Sequence, residues 1–170
     1  YNVATPSQTA GWVEDPSSQW LMRKVVGPAL PLSGPVLIYN EERDRVMAVM
    51  DHLTDDRHNI ATPAVTRGWI NNATTQWQIK PSEQNPGSYL VYNAAWDRVM
   101  ACMNHITDDR HNVATPSQAG GWVDDASTQW QIKPSAQNPG SFLFYNAKCD
   151  RVMAVMGHRT DGRYNVATPS

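Results

Sequence analysis

The chain contains 170 residues, of which 41% are hydrophobic, and it carries a formal net charge of −2. This length favours one domain with one hydrophobic core over two full-sized domains. Basic residues are not clustered, and no apolar stretch reaches the roughly 20 residues that a membrane span requires. We therefore predict a soluble protein that neither binds nucleic acid nor inserts into a membrane. Cytoplasmic and secreted locations both remain open.

The heptad YNVATPS opens the chain at Tyr1–Ser7 and closes it at Tyr164–Ser170. Between these copies the sequence repeats with a period of 53 residues, which is the spacing of Asp44, Asp97 and Asp150. We divide the single domain of residues 1–170 into repeat 1 (32–84), repeat 2 (85–137) and a split repeat 3 (138–170 together with 1–31). Because a closed ring of repeats has no exposed edge, we expect the two chain ends to meet. The alternative is a slice from a longer tandem array.

Four short runs in each repeat are typical of β-strands. PVLIYN and its copies form the first run, and RVMAVM and its copies form the second run after a short polar turn, which predicts a hairpin. HNIATP and its copies end at a proline, which cannot continue a sheet. In TQWQIKP, Trp77 and Ile79 alternate onto one face, as do Trp130 with Ile132 and Trp20 with Met22, so we place this face in the core. No window has a helical apolar stripe, which predicts an all-β body of about twelve strands.

Sulfur-containing side chains are interpreted as structural. The paired methionines of the second run, such as Met47 and Met50, lie within strands and are suited to filling gaps in a core. Cys102 and Cys149 occupy different positions in the repeat, so we predict two free thiols. No C-x-x-C or comparable ligand spacing is present, and we predict neither a metal site nor a cofactor.

Residues 129–155, QWQIKPSAQNPGSFLFYNAKCDRVMAV, resemble the joint between repeats of β-trefoil lectins of the ricin-B and mushroom-lectin kind. In that family a Q-x-W strand leads through a turn into G-x-[YF]-x-[ILV]-x-N. This chain departs from the pattern because Gln129 and Trp130 are adjacent and because it starts in the middle of a repeat, as a circular permutation would. The resemblance implies a β-trefoil-like body of three four-stranded repeats, with the third repeat completed by both termini.

Two other folds remain open at this point. A β-propeller also repeats four-stranded units, although three blades are too few and several chains would be needed. The opening YNVATPSQTAGWVEDPSSQW is also similar to lectins with Gly-Trp repeats, which form a continuous barrel.

The resemblance implies one sugar pocket per repeat, between the end of the second strand and the loop before the Q-x-W strand. The corresponding residues are Asp51, Asn104 and Gly157 on one wall and Trp69, Trp122 and Trp12 on the other. Since Gly157 has no side chain, we expect the third pocket to be weaker.

Polar side chains add further candidates near each predicted pocket. The links from the second to the third strand, Asp51–Asn59, Asn104–Asn112 and Gly157–Asn165, combine imidazole, carboxylate, guanidinium and amide groups that hydroxyl-rich ligands can use. The candidate sugar-binding residues are Asp51, His52, Asp55, Arg57, Trp69 and Asn72 in repeat 1; Asn104, His105, Asp108, Arg110, Trp122 and Asp125 in repeat 2; and His158, Asp161, Arg163, Trp12 and Asp15 in repeat 3. The structural alternative is a solvated turn beside core tryptophans.

We predict a multivalent carbohydrate-binding protein, a lectin or agglutinin, whose partners are glycans or glycoproteins. The alternative is a protein-binding trefoil such as a protease inhibitor, acting through segments unique to one repeat: Glu41–Arg43, Trp96 or Val25–Pro31. Trp96 has no aromatic counterpart and could be an exposed contact or the anchor of a homo-oligomer. A storage or toxin-associated role is also open. We do not predict an enzyme, because a catalytic site needs unlike groups that converge once.

Overall fold

The computed structural model describes residues 15–24, 34–54, 57–65, 68–107, 110–116, 121–160 and 163–168. The strands in these ranges are β1 (Leu21–Lys24), β2 (Val36–Asn40), β3 (Arg45–Val46), β4 (Ala48–Thr54), β5 (Arg57–Thr62), β6 (Gln76–Pro81), β7 (Tyr89–Asn93), β8 (Arg98–Val99), β9 (Ala101–Thr107), β10 (Arg110–Thr115), β11 (Trp130–Pro134), β12 (Phe142–Asn146), β13 (Arg151–Val152), β14 (Ala154–Thr160) and β15 (Arg163–Thr168). The 3-10 helices are Pro16–Ser18, Trp69–Asn71, Ala73–Thr75, Trp122–Asp124 and Ala126–Thr128. None of these helices is long and apolar enough to cross a membrane. The all-β prediction is confirmed.

Six strands form a closed antiparallel barrel in the order β1-β2-β6-β7-β11-β12. The barrel closes where Trp20, just before β1, pairs with Phe142 at the start of β12. The Trp20 N–H donates to the Phe142 carbonyl at 3.0 Å, and the Phe142 N–H donates to the Trp20 carbonyl at 2.6 Å. An early segment of the chain therefore forms a backbone pair with the third copy of the first strand.

Three hairpins, β4–β5, β9–β10 and β14–β15, form a second sheet. The second strand of each hairpin pairs antiparallel with the second strands of both other hairpins. Strands from different repeats thus share both sheets. This arrangement differs from a β-propeller, in which each repeat forms a sheet of its own.

One tryptophan per repeat connects the barrel to a hairpin. Trp20, Trp77 and Trp130 are fully buried, as the strand alternation predicts. Their indole N–H groups donate at 3.0 Å to the carbonyls of Met153, Met47 and Met100 respectively. These methionines are themselves fully buried in the same core, which confirms their interpretation as core residues.

One buried asparagine per repeat holds the loop that leads into the preceding barrel strand. The Asn93 side chain at the end of β7 donates to the carbonyls of Ala73, Thr74 and Gln76 at 3.4, 3.0 and 3.1 Å. Asn40 and Asn146 make the same kind of contact with the equivalent loops. Because buried backbone carbonyls need partners, these amides fix the course of the loops that follow the hairpins.

The prediction that the stretch Asp51–Asn59 is a link between strands is wrong. Strand β4 continues to Thr54, and β5 already begins at Arg57. The copies behave in the same way in β9–β10 and β14–β15. Antiparallel pairs between Leu53 and His58 and between Thr54 and Arg57 extend the hairpin into this stretch, so a polar sequence does not end it.

Candidate functional site

An open cavity of about 490 Å³, here called site 1, lies at the end of β4. It is lined by Val49, Met50, Asp51, Trp69, Asn72, Thr74 and Trp96. The wall that includes Trp69 comes from the two 3-10 helices after β5, whereas Trp96 comes from the turn between β7 and β8 of the next repeat. Site 1 is therefore built across the boundary between two repeats.

Trp69 takes its position from a glycine and a buried threonine. Gly68 has φ 73°, a left-handed conformation that glycine adopts without strain, and this turns the chain into the helix Trp69–Asn71. The Thr75 hydroxyl donates to the Trp69 carbonyl at 2.8 Å and anchors that turn. The Trp69 side chain is half-buried and packs on a small cluster that includes Met50. Gly121, Thr128 and Trp122 repeat this local structure, which explains the recurring Gly-Trp pair.

Trp96 is packed against a buried histidine. The ring centroids of Trp96 and His58 are 4.2 Å apart, and their planes are inclined at 45°. The Nδ1 atom of His58 lies 2.7 Å from the Met50 carbonyl, a geometry in which Nδ1–H is the donor. His58 thereby fixes the half-buried indole beside the end of β4.

The polar residues after each Gly-Trp pair cap the next 3-10 helix. The Asn72 Oδ1 atom accepts from the Thr74 N–H at 2.9 Å, and Asp125 Oδ1 accepts from the Ser127 N–H at 2.8 Å. Asp15 makes the same contact with Ser17. A side-chain oxygen that satisfies a free N–H at a helix start stabilises the helix. In all three residues, one side-chain oxygen is therefore committed to structure.

Site 2 is the equivalent cavity in repeat 2, and its volume is smaller, about 140 Å³. It is lined by Arg57, Cys102, Met103, Asn104, Trp122, Asp125, Ser127 and Lys148. Arg57 belongs to repeat 1. It reaches site 2 because β5 pairs with β10, which places His58 opposite Thr115. The guanidinium carbon of Arg57 is 5.7 Å from the Trp122 ring centroid, within the range of a cation–π contact.

An ion pair spans site 2. The Lys148 Nζ atom lies 2.8 Å from Asp125 Oδ1. Burial raises the pKa of Asp125, but hydrogen bonds from Lys148 and from Ser127 outweigh this effect and lower the pKa to about 2. Asp125 is therefore ionised at neutral pH.

Both cysteines are free thiols, as predicted, and they lie close together beside site 2. The Cys149 Sγ atom is 3.9 Å from the Cys102 carbonyl oxygen. A hydrogen bond from Cys102 lowers the pKa of Cys149, and the charges of Lys148 and Arg151 lower it further, while burial opposes the change.

The structure brings together several of the candidate residues. Asp51, Trp69 and Asn72 line site 1, and Asn104, Trp122 and Asp125 line site 2. Arg57 lines site 2 rather than the pocket of its own repeat. Trp12, Asp55, Asp108 and Asp161 lie outside the described residues, and the side chains of His52, His105, Arg110, His158 and Arg163 lie outside the described part of their strands. Within the described ranges, no three His, Cys, Asp or Glu side chains are grouped as metal ligands.

Trp96 and Lys148 are absent from the predicted sugar-binding set, although both line a site. Both belong to the first hairpin turn of the following repeat. The available signal was that Trp96 has no aromatic counterpart, since Arg43 and Cys149 stand at its position.

No protein-family model matches the chain, and no curated protein matches it in sequence. Solved structures match it in fold. The BEL β-trefoil is 10% identical with a TM-score of 0.54 and covers 100% of this chain and 92% of its own. The cytolethal distending toxin of Actinobacillus actinomycetemcomitans is 8% identical with a TM-score of 0.59 and covers 91% and 81% respectively. The Polyporus squamosus lectin is 12% identical with a TM-score of 0.53 and covers 91% of this chain and 44% of its own.

At these identities the similarity establishes the fold alone. A six-stranded barrel with three hairpins, related by an approximate three-fold repetition, is a β-trefoil, and the chain is a β-trefoil protein. The resemblance inferred from the sequence is confirmed at this level. Proteins of this fold in the comparison include both a lectin and a toxin, so the fold does not decide the function.

Proposed function

We propose that the protein is a multivalent carbohydrate-binding protein that uses one shallow pocket per repeat. The observation that carries this proposal is the composition of site 1, where two tryptophans, an exposed carboxylate and an amide surround one open cavity. Indole faces pack on the apolar C–H side of a sugar ring, and the Asp51 carboxylate accepts hydrogen bonds from hydroxyl groups. The cavity volume of about 490 Å³ lies within the range of small-molecule sites.

The recurrence of the site supports multivalency. Site 2 has Trp122 where site 1 has Trp69, and Asn104 where site 1 has Asp51. Weak pockets on one molecule raise avidity when the target displays several sugars within reach. The Polyporus squamosus lectin, which has a similar fold, was solved bound to the glycan Neu5Aca2-6Galb1-4GlcNAc, and this adds support to the proposal.

Binding without catalysis is part of the proposal. Each cavity has a Gly-Trp tryptophan on one side and an amide or carboxylate from the second strand on the other, and this recurrence favours repeated binding sites over one catalytic centre.

A glycan array and agglutination of red cells with sugar competition test the proposal. We expect Trp69→Ala to weaken binding at site 1, because it removes the aromatic wall of the cavity. Ile70→Ala is the matched control, since Ile70 is the next residue of the same helix, is exposed and does not line the cavity. Wild-type protein that binds no glycan and agglutinates no cells would refute the proposal. Equal binding by Trp69→Ala and Ile70→Ala would reject site 1.

A further inference from the structure

The two cavities differ in charge. Among the described residues that line site 1, the only charged side chain is Asp51. Among the described residues that line site 2 are two cations, Arg57 and Lys148, and one carboxylate, Asp125. An anion is therefore disfavoured by the electrostatics of site 1 and favoured by those of site 2.

The cations of site 2 keep hydrogen-bonding capacity. Arg57 lies over the Trp122 ring at 5.7 Å, a cation–π contact that takes no acceptor atom, and a guanidinium can bind an oxyanion at two points. Lys148 donates to Asp125, and an ammonium group has three donors. Asp125 Oδ1 already accepts from both Lys148 and Ser127, so hydrogen bonds within the protein partly offset the charge of this carboxylate.

The ammonium group of site 2 comes from one hairpin turn. The turn that contributes Trp96 to site 1 has the sequence NAAWD, and the equivalent turn beside site 2 has NAKCD. Ala95 thus stands where Lys148 stands. A single-residue difference at this position gives site 2 its ammonium group. At the next position of the turn, site 1 has Trp96, whereas the turn beside site 2 has Cys149.

We propose that site 2 recognises a sugar that carries an oxyanion, either a carboxylate or a sulfate ester, whereas site 1 takes a neutral sugar. This inference rests on the proposed function and assigns a ligand class to each site. The volumes agree with it, because about 140 Å³ in site 2 admits a small charged group, and about 490 Å³ in site 1 leaves room for a larger saccharide between its two indoles.

Titration of ¹⁵N-labelled protein provides a separate readout for each site. The indole N–H signals of Trp69 and Trp122 are assigned with the variants Trp69→Phe and Trp122→Phe. The probes are methyl glucuronide, glucose 6-sulfate, methyl glucoside and sodium sulfate. We expect at least one anionic sugar to shift the Trp122 signal at about one-tenth of the methyl glucoside concentration, since one charge-assisted hydrogen bond is worth about tenfold in affinity. The Trp69 signal should show no preference for the anionic sugars.

Two variants test the cause of the preference. Lys148→Ala installs the residue found at the same position in repeat 2, and Arg57→Gln removes the cation beside Trp122. Each should reduce the tenfold preference, and the double variant should abolish it. Lys133→Ala is the control, because Lys133 is an exposed lysine over the Tyr145 ring and lies outside site 2.

Each result decides between the proposals. An equal response of Trp122 to neutral and anionic sugars would overturn the inference, and so would a preference that survives in the double variant. Sodium sulfate acting at the same concentration as glucose 6-sulfate would reduce site 2 to an ion site and would also overturn it. If neutral sugars still bind at site 1 in these cases, the proposed function stands. If no sugar moves either signal and no glycan on the array is bound, both proposals fail.

Discussion

Closure of the barrel depends on Trp20, and the substitution Trp20→Phe tests it. Trp20 is fully buried, it pairs through its backbone with Phe142, and its indole N–H donates to the Met153 carbonyl at 3.0 Å. Trp77 makes the equivalent bond to Met47 within an uninterrupted repeat. If both ends of the chain complete the barrel, the two substitutions should have equal effects.

The structure sets the size of the effect. Loss of the indole N–H leaves a buried carbonyl without its donor, which costs about 1–3 kcal/mol. The smaller ring leaves a volume of roughly 40 Å³, which adds about 1 kcal/mol at about 24 cal/mol per Å³. We therefore expect Trp20→Phe and Trp77→Phe each to reduce the free energy of unfolding by about 2–4 kcal/mol. For a chain of this length, the melting temperature should fall by about 5–15 °C.

Urea unfolding followed by far-UV circular dichroism measures these losses without relying on tryptophan fluorescence, which the substitutions themselves alter. An unchanged slope against urea shows that the variants unfold in the same manner. Trp122→Phe is the control, because its side chain is half-buried and the loss should stay below about 1 kcal/mol. A loss for Trp20→Phe of less than half that for Trp77→Phe would refute the closure of the barrel by the N-terminal segment in solution.

Two further predictions concern buried and capping side chains. Asn93→Ala should lower the free energy of unfolding by about 2–4 kcal/mol, because three backbone carbonyls lose a buried donor. Urea unfolding measures this loss. The control Asn138→Ala, at an exposed asparagine, should change the free energy of unfolding by less than about 0.5 kcal/mol. The pKa of Asp125 is lowered to about 2 in the folded state, so its ionised form stabilises the fold above the unfolded value of 3.8, and this contribution is lost as the pH falls from there towards 2. The melting temperature of wild type should exceed that of Asp125→Asn at pH 7, and the difference should shrink between pH 4 and pH 2; a difference independent of pH would contradict this assignment.

The barrel strands and the core could be predicted from the sequence because their signals are local. Alternation in TQWQIKP places Trp77 and Ile79 on one face, and both are buried. The hairpin strands were harder to predict, because the polar residues from Asp51 to Asn59 suggest a connection, although Leu53 pairs with His58 and Thr54 with Arg57 across the hairpin. A hydrophobicity pattern does not reveal such pairing, because the ends of these strands extend past the core and carry polar side chains.

The candidate sites could be predicted only in part, since each one joins residues from different repeats. The family resemblance implies that Asp51 and Trp69 form opposite walls of one pocket with Asn72 nearby, and these residues do line one cavity. It cannot show that the turn containing Trp96 packs beside them, because that contact depends on the order of repeats around the axis. The pattern Asn72-Ala73-Thr74 also carried an unused signal, since an Asn or Asp two residues before Thr or Ser is typical of the helix cap found there.

Construction across repeat boundaries separates the specificity of each site from the stability of the fold. The tryptophan hydrogen bonds of the barrel recur in all three repeats, and loss of any of them leaves a buried carbonyl without its donor. The turn after the first barrel strand has the sequence EERD, AAWD or AKCD in the three repeats. Its middle residues lie at the surface or against a neighbouring site. Substitution at the exposed second position, as at Ala95 and Lys148, alters one site and leaves the core contacts in place, whereas Trp96 and Cys149 at the third position also pack on the core. The Trp96 turn and the Lys148 turn are two outcomes of this freedom, and they explain how a chain with a nearly uniform repeat acquires unlike sites.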